Sequence, residues 1–181
     1  MLTTFMVNTL VDENGTYAPG GSSNSLREAI AYAATQSGPD TIEFDSSLMD
    51  GVIELTHDQL VITSDVTIMG LGMDLLTIDA QGNSRVFLVS GGKTASMSGL
   101  TITGGSADYG GALLIQGSLQ MDSVRVEHNL ATAAAGGIVL AGLVIMTSAV
   151  LRDPESTSTT DGRAVAEREA DLAEEPAVHA V

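Results

Sequence analysis

The 181-residue chain has no cysteine and no tryptophan, only 3% aromatics, and 7 lysines and arginines against 23 aspartates and glutamates. Without cysteine there is no disulfide, no thiolate zinc site and no thiol nucleophile, and redox usage gives no indication of compartment. With so few aromatics, a core must be assembled from Ile, Leu, Val, Met and Ala. A formal net charge of −16 sets the chain against nucleic acid and anionic membranes, both of which repel it. Carboxylates are the ligands calcium prefers, so calcium is the one ion to consider; no other cofactor is expected. No apolar run reaches the ~18 residues of a membrane-spanning helix. The segment "GGIVLAGLVIMTSAV" (136–150) comes closest and is short and glycine-broken. The start, "MLTTFMVNTL", has neither the basic n-region nor the long apolar h-region of a signal peptide.

What is present is glycine, 20 residues of it, and 44% apolar residues, a composition suited to many short strands joined by tight turns. One stretch stands apart. In "SNSLREAIAYAATQSG" (23–38) Ser25 and Glu28 have capping-box spacing. Leu26, Ala29, Ile30, Ala33 and Ala34 then form the i, i+3, i+4, i+7, i+8 stripe of an amphipathic helix. Arg27, Glu28 and Thr35 fall off that stripe, and Gly38-Pro39 stops the helix, which is expected over 25–36.

After Pro39 the helical period disappears. Short runs of alternating character follow: "TIEF" (41–44), "VIEL" (52–55), "LVITSDVTI" (60–68), "LLTID" (75–79), "RVFLV" (85–89), "ASMSGLTIT" (95–103), "GALLIQ" (111–116), "LQMDSVRVE" (119–127) and "GIVLAGLVIM" (137–146). The runs repeat. Met97, Met121 and Ile145 recur at intervals of 24, with Leu100 and Val124 three residues on and Ile102, Val126 and Val150 five on. An interval near 24 is that of a solenoid repeat, and two-residue Asn-Gly hairpin loops between strands are missing. The expectation is an all-β chain, a right-handed parallel β-helix (solenoid) that turns in three short strands per coil. Five or six rungs would rise roughly 25–30 Å at the interstrand spacing. A solenoid has open ends that invite aggregation. The helix is expected to lie across the N-terminal end, with Leu26, Ala29, Ile30 and Ala33 on the first rung. Three parts follow: 1–40, an N-terminal strand and capping helix; 41–151, the rungs; and 152–181, an acidic tail expected to be disordered or weakly helical.

The ordered motifs "FMVNTLVDENG" (5–15), "SLREAI" (25–30) and "GPDTIEF" (38–44), with "VTIMGLGMDLLTIDAQGNSRVF" (66–87) and "MSGLTITGG" (97–105), resemble the opening of a bacterial family. Its members are right-handed parallel β-helix proteins with a Cys-Ser-Leu-Arg-Glu-Ala signature, among them polymorphic-outer-membrane-protein-like proteins and adhesins. The resemblance covers residues 5 to 146. It implies an exported or cell-surface solenoid and carries no agreed activity, so it transfers no catalytic residue. Asn24 stands where the signature has cysteine. The repeat also decays: Ser148 stands where Leu100 and Val124 stand in earlier coils, which reads as a truncated array.

Chemistry-bearing residues give little. Glycoside hydrolysis needs two carboxylates facing one bond. Asp65, Asp74, Asp79, Asp108 and Asp122 are available, but most lie in or beside turns, where Asp is a turn residue. "GGKT" (91–94) lacks the first glycine of a phosphate loop, where Phe87 sits, and a strand follows it. "DENGTYAPGGSSNS" offers Asp12 and Asn14 to calcium but has Tyr17 and Ser23 where the loop needs Gly and Glu. "GLGMDL" (70–75) has two glycines of a dinucleotide fingerprint and no βαβ unit around it. His57, His128 and His179 have no metal-ligand spacing. There is no Gly-x-Ser-x-Gly elbow, and Asn14-Gly15-Thr16 is a formal glycosylation sequon. No catalytic, cofactor-binding or metal residue is nominated. The reading is adhesion or display, with carbohydrate or a cell-surface protein as partner. The alternatives are a carbohydrate-active β-helix enzyme of lyase or hydrolase type, and a fragment without independent function.

Overall fold

The computed structural model describes residues 3–133, 138–140 and 143–152, excepting the side chains of 140 and 143–152. The tail assigned to 152–181 lies, beyond its first residue, outside the described residues. In chain order the elements are β1 (Thr4–Val7), α1 (Leu26–Ala33), β2 (Asp40–Phe44), a 3-10 turn (Ser46–Leu48), β3 (Gly51–Glu54), β4 (Leu60–Ile62), β5 (Val66–Met69), β6 (Leu76–Asp79), β7 (Phe87–Val89), β8 (Thr94–Thr103), β9 (Ser106–Ala107), β10 (Leu113–Ile115), β11 (Ser118–Glu127), β12 (Leu130–Ala131), β13 (Ile138–Leu140) and β14 (Leu143–Arg152).

Every strand pairing is parallel and joins one turn of the chain to the next. The first sheet stacks β1-β2-β5-β8-β11-β14, with β3 on β6 and β6 on the second half of β8; the second stacks β4-β7-β10-β13. The fold is a parallel β-solenoid of about four turns, fewer than the five or six rungs expected, although the first face is six strands deep. Three faces per turn arise because β8 and β11 each bend midway. A strict period of two would carry the inward set from Met97 to residue 99. The buried residues are instead Ala95, Met97, Leu100 and Ile102, and the phase shift sits at Gly99, whose φ is +60°. Ser123 repeats it at φ +54° one turn on. One turn earlier the same bend opens into the loop 70–75, where Gly70 lies so close to the Gly99 carbonyl that any Cβ would collide with it.

Inside the rod, identical positions stack into apolar columns. Ile42, Ile68, Met97 and Met121 form one, Ile53, Ile78, Ile102 and Val126 a second, and Leu60, Phe87 and Leu113 a third, all buried. Leu100 lies opposite Val124, as the interval of 24 requires. The next turn corrects the sequence reading. Met121 pairs with Met146, not Ile145, and Val124 with Ala149, while Ser148 lies opposite Asp122. The interval there is 25 and the strand carries an irregularity, so the apparent decay at Ser148 came from aligning that turn one residue early. Two runs read as single strands also divide: 60–68 turns a corner between β4 and β5, and the described residues of 137–146 fall in two strands, β13 and β14.

The N-terminal end is closed by an incomplete turn. β1 lies on β2, Val11 bridges to Glu54, and α1 packs against β1, β2 and β4, occupying the side where β4 has no strand neighbour. Leu26, Ala29, Ile30 and Ala33 are buried in the core as the stripe predicts. The helix ends three residues earlier than expected, because Thr35 and Gln36 bond back to Tyr32 and Ala33 in turn geometry. Phe5, Tyr17 and Tyr32 form a ring cluster against it, with centroids 5.1–5.4 Å apart.

Candidate functional site

The sequence motifs of the opening converge on the cap. Ser25 and Glu28 close the capping box: Ser25 N–H donates to Glu28 Oε2 (2.9 Å) and Glu28 N–H to Ser25 Oγ (3.2 Å). Asn24 takes Ala18 N–H on its oxygen and donates to the Ala18 carbonyl (both 2.9 Å), so the residue at the signature cysteine's position folds the preceding loop by hydrogen bonds. Asn8 accepts from Asn24 N–H (2.7 Å) and donates to the Gly21 carbonyl (2.8 Å).

Arg27, expected off the helix's packed stripe, is the centre of this end. Its guanidinium grips Asp12 with two bonds, Nε to Oδ1 at 2.8 Å and Nη2 to Oδ2 at 3.0 Å. It also donates to the carbonyls of Asp58 (2.6 Å) and Gln59 (3.3 Å). The Asp12 side chain is only 1% exposed, and Oδ2 also accepts the N–H groups of Thr56 (2.9 Å) and His57 (3.1 Å). Burial pushes the Asp12 carboxyl up. Arg27 and the two backbone donors outweigh it and hold the group below its ordinary value. Both oxygens of Asp12 are therefore engaged within the protein, and the calcium-loop reading of Asp12 is replaced by an ion pair. Tyr17, in the same stretch, is buried in the ring cluster.

Above this pair opens a cleft of about 480 Å³ lined by Asn14, Arg27, Thr56, His57, Asp58 and Asn83, without one apolar side chain. His57 borders it, Nδ1 being 3.2 Å from Thr56 Oγ1 and 3.4 Å from Asp12 Oδ2, with its side chain 46% exposed. The cleft lies on the corner between β3 and β4. One turn on, the same corner holds Arg85, which donates to Gln59 Oε1 (2.5 Å), the Gly110 carbonyl (2.8 Å) and the Tyr109 carbonyl (2.6 Å). Burial pulls the Arg85 pKa below its ordinary value, although a guanidinium keeps its charge at any ordinary pH.

The other surface of note is the outer side of the first sheet. Residues alternating with the buried columns point outward. Thr4, Thr41, Thr67, Ser96 and Gln120 align across five strands, beside Met6, Glu43, Met69, Ser98 and Asp122.

The aspartates weighed in the sequence are dispersed. Asp65 Oδ1 accepts Thr94 N–H (2.8 Å), Asp74 pairs with Arg125 (2.6 Å), Asp79 accepts Gln81 N–H (2.7 Å) and Asp108 accepts from the Thr132 hydroxyl (2.8 Å). Asp122 lies on the exposed sheet face. Loop 70–75 is a turn, with Leu75 and Leu76 N–H on the Gly72 carbonyl. Lys93 of "GGKT" sits at the tight turn before β8. His128 occupies a corner at φ +54°, and His179 lies outside the described residues. Among the described residues no three His, Asp or Glu side chains converge on a metal position, and no helix is long and apolar enough to cross a membrane. The sequence reading passed over Arg27, Arg85 and Tyr109. Their signal was faint: a basic residue inside the helix motif, a second beside a turn, and a lone aromatic in a polar corner. Comparison of the chain with protein-family models, with curated proteins and with solved structures finds no match.

Proposed function

We propose that the chain is a binding and display module of an exported or cell-surface solenoid, akin to the Cys-Ser-Leu-Arg-Glu-Ala proteins its opening resembles. Its partner is a carbohydrate or a cell-surface protein, engaged through the outer side of the first sheet. The observation that carries this reading is the column Thr4, Thr41, Thr67, Ser96 and Gln120. Parallel pairing sets these side chains at the interstrand interval of about 4.8 Å, on a backbone whose order is already established before a partner arrives. Met6 and Met69, both exposed, add apolar contact beside the hydroxyls. The motif residues support the same reading. Asn8, Asp12, Asn24, Ser25, Arg27 and Glu28 bond to one another or to nearby backbone and close the rod, so they are not held in reserve for catalysis. A hydrolase would need two carboxylates flanking one bond, and the contacts of Asp65, Asp74, Asp79 and Asp108 are with backbone, arginine or hydroxyl instead.

The test is a glycan and surface-protein array probed with the wild type and with Thr67→Lys, which places a long cation in the middle of the face. The reading requires a ligand that the variant loses while its melting temperature is kept. Binding indifferent to the variant, or new reducing ends released from an arrayed glycan, would overturn it.

A further inference from the structure

We infer that the corner carrying Arg85 and Tyr109 is a binding site for a carboxylated sugar, the carboxylate on Arg85 and a ring face on Tyr109. The inference rests on the binding reading above but not on the sheet face. Its first ground is charge. Arg27 and Arg125 each hold an aspartate, whereas Arg85 has no carboxylate within ion-pair distance among the described residues. Its partners are an amide and two carbonyls, all neutral. A half-buried guanidinium normally recovers its lost hydration from an anion. Of its five N–H groups, three are taken by these partners, leaving one hydrogen on each terminal nitrogen for a ligand.

The second ground is the aromatic. Tyr109 is 54% exposed, while Phe5, Phe44, Phe87 and Tyr17 are buried and Tyr32 packs on the core. Arg85 holds the Tyr109 carbonyl, so Tyr109 and Arg85 belong to adjacent turns of one corner. A phenol presents an apolar face with a polar edge, the combination that suits the C–H face of a pyranose. The third ground is continuity. Asn83, two residues before Arg85, lines the polar cleft with Asn14, His57 and Asp58, and on the far side Asp108 and Thr132 continue the corner. A short saccharide lying along the rod would pass from Tyr109 over Arg85 to amide and imidazole groups. In physiological salt the Debye length is about 8 Å, so acidic charge farther off than that is screened from a ligand held at Arg85, while Asp58 and Asp108 border the corner and face the neutral hydroxyl groups of the saccharide in this pose.

The experiment is titration calorimetry in that salt with a galacturonic acid trimer and, as a neutral isostere, its methyl ester. Binding of the acid at least ~10-fold tighter than the ester is expected, as a hydrogen bond to a charged group allows. Tyr109→Ala should weaken binding by ~10-fold or more, since the Arg85 contact uses its backbone and not its ring. Arg85→Gln should abolish the preference for acid over ester; because Arg85 also ties turns together, its melting curve is recorded, and Arg85→Lys, which keeps the charge, should retain part of the preference. Equal binding of acid and ester, no binding of either, or binding that survives Tyr109→Ala overturns the site. Binding that survives the corner variants but fails in Thr67→Lys overturns it while leaving the sheet-face reading intact.

Discussion

Replacing Arg27 with methionine keeps the length and apolar stem of the side chain and removes the fork that grips Asp12. Four hydrogen bonds disappear: two to the Asp12 carboxylate and two to the carbonyls of Asp58 and Gln59. The Asp12 side chain stays 1% exposed, retaining only the N–H groups of Thr56 and His57 from the backbone. Removing one partner of a buried pair costs about 3–5 kcal/mol. The Arg27 side chain is 14% exposed and two donors remain on Asp12, so the lower end, about 3 kcal/mol, is expected for Arg27→Met. For a chain of this length that is a fall in melting temperature of roughly 6–12 °C. The double variant Asp12→Asn, Arg27→Met leaves no charge at either position of the pair, and its loss should be smaller than the sum of the single losses. The pair also gives stability a pH dependence. The folded Asp12 carboxyl is held below its ordinary value of 3.8, so its contribution is complete above the unfolded value and is lost as pH falls through the folded one. Between about pH 5 and pH 2 the wild type should therefore lose more stability than Asp12→Asn. The assay is reversible chemical unfolding across that pH range, with calorimetry at neutral pH. Should Arg27→Met melt within about 2 °C of the wild type, a shift worth no more than ~1 kcal/mol, or should Asp12→Asn keep the wild-type acid profile, the clamp is not what closes this end of the rod.

Ile30→Asp should put a charge against the first turn and either aggregate or melt far earlier, whereas Thr35→Asp on the exposed side should behave as wild type; equal behaviour of the two in light scattering and melting refutes the cap. Asp40 is 0% exposed, shares its inward column with Val66 and Ala95, and neither of its carboxylate oxygens has a hydrogen-bond partner. Asp40→Val should therefore raise stability by about 1–3 kcal/mol, the cost of an unsatisfied buried polar group, and a lower unfolding midpoint would show that the carboxylate is satisfied. Ile78→Ala, in the centre of a four-deep column, should cost about 2–5 kcal/mol, and a loss under 1 kcal/mol in urea melts would contradict the close stacking described.

The period of the rod was legible because parallel stacking repeats an inward pattern at nearly fixed length: Met97 and Met121, Leu100 and Val124, Ile102 and Val126 fall together. It failed where the length changes. β14 is 25 residues after β11 and not 24, and one extra residue exchanges inward for outward positions, so Ile145 was read in the place of Met146. The helix was legible from its stripe and capping box, but Arg27 was placed only off the stripe, without a partner, because helical periodicity knows only the helix. Asp12 comes from a loop 15 residues earlier in the chain and covers the side that the stripe leaves bare. The polar corner was harder still. Arg85 meets the Tyr109 carbonyl, and Asn83 lines a cleft with Thr56, His57 and Asp58, only through stacking of successive turns, and corner residues carry no periodic signal. For the same reason the aspartates could not be assigned their separate partners from sequence, and Asp122 proves to lie within β11. The hydroxyl column was implicit in the alternation of "DTIEF", "VTIM" and "ASMS", yet only the register between turns brings Thr41, Thr67 and Ser96 into one line.

Threonine-methyl NMR tests directly whether the outer side of the first sheet is a binding surface. A ligand selected on the array is titrated into protein labelled at threonine methyls. Thr4, Thr41 and Thr67 point outward on that face, whereas Thr101 is 4% exposed with its hydroxyl on the Met73 carbonyl. The first three resonances are expected to shift together along one saturation curve while Thr101 stays in place. Saturable binding that leaves Thr4, Thr41 and Thr67 unmoved would contradict a binding role for that face.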